Sequence, residues 1–270
     1  MPALLQAALL GVVQGLTEFL PVSSTAHLLI GERLLGFEDP GSVFTEMIQL
    51  GSVLAIVWLY RDKVIGVVMG LPTRPEARRF ALMLLVAFVP AIVVGLVASD
   101  YVESVLHKSF AVIAVAFIAG GVVMLIVGWS VPARRHALVR RVEDTSLGRA
   151  LGVGLVQVLA LVPGVSRSGA TIVGGQMAGL DRATSAEFSF FLAMPTLAAA
   201  FAHSAFALRH QITVDRLSEV TVGFVMAFVA SLLVVKPFLS YVSRHGFAPF
   251  AWYRIVAGVG ILTAQAAGLL

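Results

Sequence analysis

Two polar, break-forming segments interrupt long stretches of membrane-grade hydrophobicity, and the two resemble one another. The first, residues 14–27, reads QGLTEFLPVSSTAH, and the second, residues 163–171, reads PGVSRSGAT. They place a carboxylate (Glu18), an imidazole (His27), a guanidinium (Arg167) and several hydroxyls at a depth where ionisable groups are costly to bury. Such groups are candidates for function, and any fold of this chain must hold them away from lipid.

The composition is that of an integral membrane protein. Soluble domains carry about 25% charged residues, whereas this chain of 270 residues is 59% hydrophobic and 13% charged. Its net charge of +4 does not indicate nucleic-acid binding, because the basic residues stand in short loops between apolar segments. The chain has no cysteine, which excludes disulfides and thiolate chemistry. Its first residues lack a basic n-region, so no cleaved signal peptide is expected.

Six apolar runs are long enough to cross a bilayer, which takes roughly 17–25 helical residues. Two further apolar regions, about 3–35 and 150–180, contain the breaks, and each is expected to form two short helices that cannot cross alone. The six predicted spans are Phe44–Tyr60, Phe80–Ala98, Phe110–Trp129, Ala186–Leu208, Val220–Val235 and Trp252–Leu270.

Loop charges predict the orientation, because cytoplasmic loops are rich in lysine and arginine. The loop at 100–108 has two acids and one lysine, which is typical of the opposite side. A third cytoplasmic connection is expected over 236–254. The basic residues that mark these loops are Arg61, Lys63, Arg74, Arg78 and Arg79; Arg134, Arg135, Arg140, Arg141 and Arg149; and Lys236, Arg244 and Arg254.

This orientation makes the two halves of the chain inverted copies. Residues 1–130 and 150–270, joined by a basic cytoplasmic loop at 130–149, each read as a re-entrant helical hairpin followed by three spans. The segment GVVQ at 11–14 aligns with GLVQ at 154–157 at an offset of 143, as does Ser23 with Ser166. The predicted fold is therefore a single all-α membrane domain of two inverted-topology repeats, whose breaks meet near the midplane.

The cap chemistry of the breaks favours an anion site. Ser23 and Ser24 are candidates to cap a helix that begins near Thr25, and Ser166 and Ser168 can cap the helix that follows the second break, with Arg167 beside them. Two helix N-termini would then point free N–H groups toward a cavity that also holds a guanidinium, whose fork suits phosphate oxygens. A hydroxyl, a histidine and a carboxylate beside them supply the groups needed for hydrolysis.

Each of these residues also has a structural interpretation. His27 can be a packed helix residue, and the serines and threonines can join helices by hydrogen bonds. Glu18 and Arg167 can form a structural ion pair, while Glu46 and Glu187 can lie at the membrane interface. Such roles do not require the whole mixture in two matched breaks.

The residues carry the signature of a known family. The pattern (Glu/Gln)-x-x-x-Glu matches Gln14 to Glu18, followed by PVSST and His27, and the pattern PGxSRSxxT matches residues 163–171. Further similar segments are IQLGS at 48–52 and EFSF at 187–190. The chain thus resembles, essentially end to end, the undecaprenyl-diphosphate phosphatases, the bacitracin-resistance membrane proteins.

The resemblance implies hydrolysis of a C55 isoprenyl diphosphate to the monophosphate lipid carrier of cell-wall synthesis, with a divalent cation such as Mg²⁺ or Ca²⁺. It also implies a multi-pass protein of the bacterial inner membrane, whose site opens to the extracytoplasmic side. Glu18, Ser24, His27 and Arg167 would be essential by this resemblance. The residues implied or suggested as diphosphate contacts are Ser23, Thr25, Ser166, Arg167, Ser168, Gly169 and Thr171. At the first position of the motif, where the family allows glutamate or glutamine, this chain has Gln14. A metal site built from the motif would therefore contain Glu18 as its only acid, together with Gln14.

The resulting hypothesis has Arg167 and the helix N-termini binding the diphosphate while Ser24 attacks the terminal phosphorus. His27 or Glu18 would accept the proton; His27 as nucleophile and direct attack by water are the variants. Glu46, Gln49 and Glu187 are further candidates for the site. The rival interpretation is a secondary transporter or isoprenoid-lipid flippase, which inverted repeats alone suggest. The partners expected are the lipid substrate and the bilayer, and the 25 glycines permit close helix packing within a protomer or in a homodimer.

Overall fold

The computed structural model describes almost the whole chain, and the described part is helical. Its eleven α-helices are accompanied by short 3-10 turns and by one isolated β-bridge, between Val139 and Leu180, without any β-strand. The described residues are 1–39, 42–101, 109–130, 137–207 and 216–269.

The helices follow one another along the chain with short connections. They are α1 Ala3–Thr17, α2 Ser24–Leu35, α3 Val43–Leu59, α4 Arg61–Gly70, α5 Pro75–Tyr101, α6 Phe110–Ser130, α7 Leu147–Gln157, α8 Arg167–Met177, α9 Arg182–Ala207, α10 Leu217–His245 and α11 Ala248–Ala266.

Both predicted breaks are found between short helices. α1 has 15 residues and α2 has 12, while α7 and α8 have 11 each, with a 3-10 turn at Val158–Leu161 after α7. At a rise of about 1.5 Å per residue, even α1 spans only about 22 Å, less than the roughly 30 Å of a hydrocarbon core. None of these helices is therefore long enough to cross alone, as their sequences indicate.

Four helices of the described chain are long and apolar enough to cross a membrane, namely α5, α6, α9 and α10. α3 and α4 together make a fifth if they count as one span, although they are bent by 79° at their junction. The predicted span Trp252–Leu270 falls on α11, which does not reach the same hydropathy. Residues 208 and 270, at the predicted ends of two spans, lie outside the described residues.

The apolar outer surface of these helices is that of a multi-pass membrane protein. Large apolar side chains are exposed along the candidate spans, for example Leu96 and Val97 on α5, Ile126 on α6 and Leu233 on α10. A soluble domain rarely leaves contiguous apolar surface of this kind uncovered, whereas a bilayer covers it.

Helices of the first half of the chain pack against helices of the second half. α1 packs against α10, α7 packs against α5, and α6 packs against α11. Backbones approach closely in these pairs, because glycine leaves room for them. A Cβ atom added at Gly11 would lie 2.3 Å from the Gly223 carbonyl oxygen, and one added at Gly154 would lie 2.3 Å from the Ala87 carbonyl oxygen.

The predicted length of the connection over 236–254 is wrong. α10 continues to His245 and α11 begins at Ala248, so that Lys236 is inside a helix and the connection is two residues long. Arg254 has no exposed surface. The sequence predicts a loop position for Arg254 because a single arginine beside an apolar run resembles an orientation signal. Of the predicted loops at 100–108 and 130–149, residues 102–108 and 131–136 lie outside the described residues.

Two glycines of α7 test the close packing of α7 on α5. Gly154→Ala should lower the melting temperature of the purified protein by about 5 °C, because its methyl group overlaps the Ala87 carbonyl. Gly152→Ala is the matched control, since a Cβ there meets nothing within 4 Å and alanine favours the helix by up to about 1 kcal/mol. Equal melting temperatures for the two variants would contradict the packing.

Candidate active site

The two breaks enclose a cavity of about 300 Å³. Both breaks supply polar side chains to its wall, and residues of α3, α5, α7 and α9 complete it. The polar residues that line it are Glu18, Ser23, Ser24, Thr25, Glu46, Gln49, Gln157, Ser166, Arg167 and Thr196. The structure thus brings together most of the residues that the sequence singled out, although they are up to 149 positions apart.

Glu18 is the centre of the hydrogen bonds around the cavity. It stands just beyond the last residue of α1 and is 6% exposed. Its Oε2 accepts a hydrogen bond from the Ser24 hydroxyl at 2.6 Å and another from the Gln14 amide nitrogen at 2.9 Å. Because α1 ends there, the chain can turn back and bring Ser24 to a carboxylate six residues before it.

Arg167 joins the second break to the first. Its Nη2 lies 2.7 Å from Oε1 of Glu18, and its Nη1 donates to the Ser189 carbonyl oxygen of α9 at 3.1 Å. The Nε atom is buried without a hydrogen-bond partner among the described residues. The guanidinium therefore has a fixed position at the cavity, and the ion pair with Glu18 that the sequence suggested is present.

The backbone adopts the same unusual conformation at both breaks. Ser23 has φ 68° and Ser166 has φ 67°, in the left-handed region that disfavours residues other than glycine. Each precedes a helix, α2 or α8. Ser166 caps α8 by accepting from the Gly169 N–H at 3.1 Å, whereas Ser23 makes no side-chain cap. Both helix N-termini lie at the cavity and can attract an anion.

Three predicted diphosphate contacts in the second break lie behind the cavity wall instead. The Ser168 hydroxyl donates to the Leu20 carbonyl oxygen at 2.8 Å, and the Thr171 hydroxyl donates to the Ser189 hydroxyl at 2.7 Å. Gly169 lines a neighbouring apolar pocket. Their observed contacts join the two breaks to each other and to α9, which positions Arg167.

His27 is held by contacts with Ser23 of the first break and with Tyr253 of α11. Its Nδ1 lies 2.7 Å from the Ser23 carbonyl oxygen, which can only accept, so that nitrogen carries a proton. The Nε2 of the neutral ring can then accept from the Tyr253 hydroxyl at 2.5 Å, and the two rings stack with an interplanar angle of 12°. His27 is not among the described residues that line the cavity.

The remaining candidates, Glu46, Gln49 and Glu187, lie in two different places. Glu46 and Gln49 line the cavity from α3. Glu187 lies outside it, where its Oε1 is 3.9 Å from Lys63 Nζ. Lys63 is closer to Glu143, at 2.5 Å, so this group of charges ties α4 to the segment before α7. Glu187 is thus placed as a member of a surface charge network.

Arg254 of α11 is a residue whose role the sequence did not reveal. It is fully buried and takes part in no ion pair among the described residues. Its guanidinium donates to the carbonyl oxygens of Pro21 in the first break and of Gly164 and Val165 in the second, at 2.8–3.2 Å. It also bonds two carbonyls of α6 and stacks on Phe117. The sequence feature that could have indicated this role is the pair Tyr253-Arg254 inside an apolar helix.

A divalent cation would find few protein ligands here. No group of three or more histidines, aspartates and glutamates among the described residues could hold a metal ion. Glu18 already accepts from Gln14, Ser24 and Arg167, and the Oε1 atom of Gln14 is buried without a hydrogen-bond partner among the described residues. This donor set fits Mg²⁺, which commonly binds one or two protein oxygens and completes its shell with phosphates and water.

Comparison with known proteins identifies relatives over nearly the whole chain. Residues 7–260 match the family model described as bacitracin resistance protein BacA. The protein named undecaprenyl-diphosphatase of Cereibacter sphaeroides is 49% identical over 264 residues, covering 98% of this chain and 97% of its own length. The undecaprenyl-diphosphatase 1 of Agrobacterium fabrum is 46% identical, with 95% and 94% covered. The undecaprenyl-diphosphatase of Pseudomonas fluorescens is 45% identical, with 95% and 92% covered.

Replacement of Arg254 tests how strongly it holds the two breaks together. Arg254→Met should lower the free energy of unfolding by about 3 kcal/mol and the melting temperature by about 10 °C, because buried carbonyls in both breaks lose their donor. The control is Arg244→Met, at an exposed position in the last turn of α10. A melting temperature for Arg254→Met within about 2 °C of that control would contradict the assignment.

Proposed function

This chain belongs to the family of bacitracin resistance protein BacA, and on that premise we propose that it hydrolyses undecaprenyl diphosphate to undecaprenyl phosphate and inorganic phosphate. The observation that carries the proposal is the arrangement around Glu18. One carboxylate accepts from the Ser24 hydroxyl and pairs with the Arg167 guanidinium, at a cavity between two helix N-termini. The reaction recycles the lipid carrier of cell-wall synthesis and would confer resistance to bacitracin.

The substrate combines an anionic end with a long apolar chain, and the site has a surface for each. Beside the polar cavity lies an apolar pocket of about 210 Å³, formed by α6, the 3-10 turn and α8. Val162 lines both. The diphosphate can therefore occupy the cavity while the first isoprene units lie in the apolar pocket, and the rest of the chain extends into lipid.

In the proposed mechanism Ser24 is the nucleophile and Glu18 is the base. As the Ser24 Oγ–P bond forms, its proton passes to Glu18 Oε2, 2.6 Å away, and the bond from the terminal phosphorus to the bridging oxygen breaks. Undecaprenyl phosphate leaves, and water then releases inorganic phosphate from the serine. Charge that develops on the phosphoryl oxygens is stabilised by Arg167 and the helix N-terminal amides.

The geometry favours Glu18 over His27 as the proton acceptor. Both nitrogens of His27 are engaged, by the Ser23 carbonyl and by Tyr253, so His27 would have to leave both partners to reach Ser24. In its observed position His27 supports the left-handed backbone of Ser23 and thereby the placement of Ser24. Attack by His27 or by water remains the competing route that a phosphoserine test separates.

We further propose that a divalent cation, Mg²⁺ or Ca²⁺, assists the reaction. Glu18 and the Gln14 amide oxygen would hold it together with oxygens of the substrate. When bound, the cation would supply positive charge to the phosphates. Because the protein offers so few ligands, affinity for the cation should depend on the substrate.

Two inverted repeats with six crossings are the topology that we propose for the bilayer. The packed pairs α1 with α10 and α7 with α5 support it, as does the shared conformation of Ser23 and Ser166 at an offset of 143. α3 with α4, and α11, would be the two crossings beyond the four longest apolar helices. We propose the bacterial inner membrane as the location, with the cavity open to the extracytoplasmic side, and a homodimer as a possible assembly.

Transport is the alternative that the same topology would allow. A secondary transporter binds its substrate near the midplane and couples its movement to an ion gradient. Ser24 bonded to Glu18 has no evident purpose in such a cycle, whereas it is the arrangement that a phosphoryl transfer needs. The names of the relatives also favour hydrolysis.

Phosphate release from undecaprenyl diphosphate in proteoliposomes tests the proposal. The protein should release phosphate without any ion gradient, and EDTA should suppress the rate until Mg²⁺ or Ca²⁺ is restored. Arg167→Lys should lower kcat about 100-fold or more, because lysine keeps the charge but loses the two-pronged contact. Arg33→Lys, at an exposed position on α2, should leave the rate unchanged. Lipid movement that needs a gradient, without phosphate release, would indicate a transporter.

The nucleophile is tested by removing one hydroxyl. Ser24→Ala should lower kcat by about 1,000-fold or more while KM changes little, since Arg167 still binds the diphosphate. Acid-quenched wild-type protein should carry phosphate on Ser24, located by mass spectrometry. The control is Ser52→Ala, a buried hydroxyl on α3 outside the cavity lining. Near-normal turnover by Ser24→Ala would point to direct attack by water or by His27.

A further inference from the structure

Gln157 is a buried amide whose polar atoms have no partner. It is the last residue of α7, is 1% exposed and lines the cavity between the breaks. In the part of the chain that the structure describes, neither its Nε2 nor its Oε1 makes a hydrogen bond. A buried amide of this kind costs stability, because water has been removed and nothing replaces its hydrogen bonds.

The first half of the chain shows what such an amide does when it has a partner. Gln14 stands 143 residues before Gln157, also buried near the end of its helix, and its Nε2 donates to Glu18 one turn later. One turn after Gln157 the chain has Leu161, which lines the same cavity. The second half therefore keeps the amide and lacks the carboxylate that would engage it.

From this we propose that Gln157 binds the diphosphate of the substrate. Its Nε2 donates to a non-bridging phosphate oxygen in the cavity that Ser166 and Arg167 also line. Its Oε1 accepts from a water molecule or a protonated oxygen that enters with the substrate. The inference rests on the proposed function, and it adds a binding residue to that site.

A neutral amide should contribute differently from Arg167. It brings no charge to oppose the charge that develops during phosphoryl transfer, so its hydrogen bond should form about equally in the ground state and in the transition state. An interaction of that kind changes KM and leaves kcat almost unaltered. Loss of one hydrogen bond to a charged oxygen corresponds to about tenfold in affinity.

Gln157→Met keeps the length of the side chain and removes both polar atoms. The full-length variant should have a KM for undecaprenyl diphosphate about tenfold above that of the wild type, with kcat within about twofold. Its melting temperature without substrate should be equal to or above that of the wild type, because an unpaired amide has been removed. A residue that merely supports the fold would instead lower the melting temperature.

A matched control and a second variant keep the test decisive. Gln176→Met removes another buried amide of the same half, on α8 and outside the cavity lining, and should leave KM unchanged. Gln157→Glu keeps the shape but opposes a phosphate with a carboxylate, and it should raise KM further than Gln157→Met. An unchanged KM in either Gln157 variant would overturn the inference, as would a lowered melting temperature with normal KM.

Thermal shifts with inorganic diphosphate separate this inference from the proposed function. Diphosphate should raise the melting temperature of the wild type and of Gln176→Met, and raise that of Gln157→Met less. Equal shifts in all three proteins would overturn the contact even if the enzyme is active. Absence of phosphate release by the wild type would refute the proposed function, while the difference in shift would still support an anion contact at Gln157.

Discussion

A helix that breaks inside a membrane leaves carbonyl and N–H groups that neither lipid nor water can satisfy. The fold of this protein depends on how that requirement is met at two places at once. Arg254 meets it for the carbonyls, since one buried guanidinium bonds the carbonyl oxygens of Pro21, Gly164 and Val165. The N–H groups at the starts of α2 and α8 lie instead at the cavity. One set of orphaned groups is thus satisfied within the protein, and the other is available to bind an anion.

The contacts of Glu18 can change when a substrate enters the cavity. In the observed state Arg167 and Ser24 both engage its carboxylate. A diphosphate that enters the cavity would compete with Glu18 for the guanidinium, since it carries more charge and more oxygens. Weakening that pair would leave Glu18 a stronger proton acceptor just when Ser24 meets phosphorus. The ion pair and the catalytic role, which look like rival interpretations in the sequence, can be successive states of one carboxylate.

Features encoded locally could be predicted from the sequence. The breaks follow from proline, glycine and serine within apolar runs, and Glu18, Ser24 and Arg167 are charged or hydroxylated residues that stand out there. Arg254 and Gln157 could not be predicted. A lone arginine near a helix start looks like an orientation signal, and a glutamine carries no charge to mark it. The role of Arg254 comes from contacts with distant segments, as with Pro21 across 233 positions, and the burial of Gln157 depends on how the helices pack. His27 is recognisable in sequence, whereas its direction depends on Tyr253 of α11.

The position of Arg254 in the chain has a consequence for biosynthesis. Pro21 leaves the ribosome 233 residues before Arg254, so the donor for its carbonyl follows only when α11 is made. Until then the Pro21 carbonyl oxygen lacks this donor and must be satisfied by water or by the insertion machinery. Completion of the pocket is therefore tied to the synthesis of α11, and a chain that stops before α11 cannot close it.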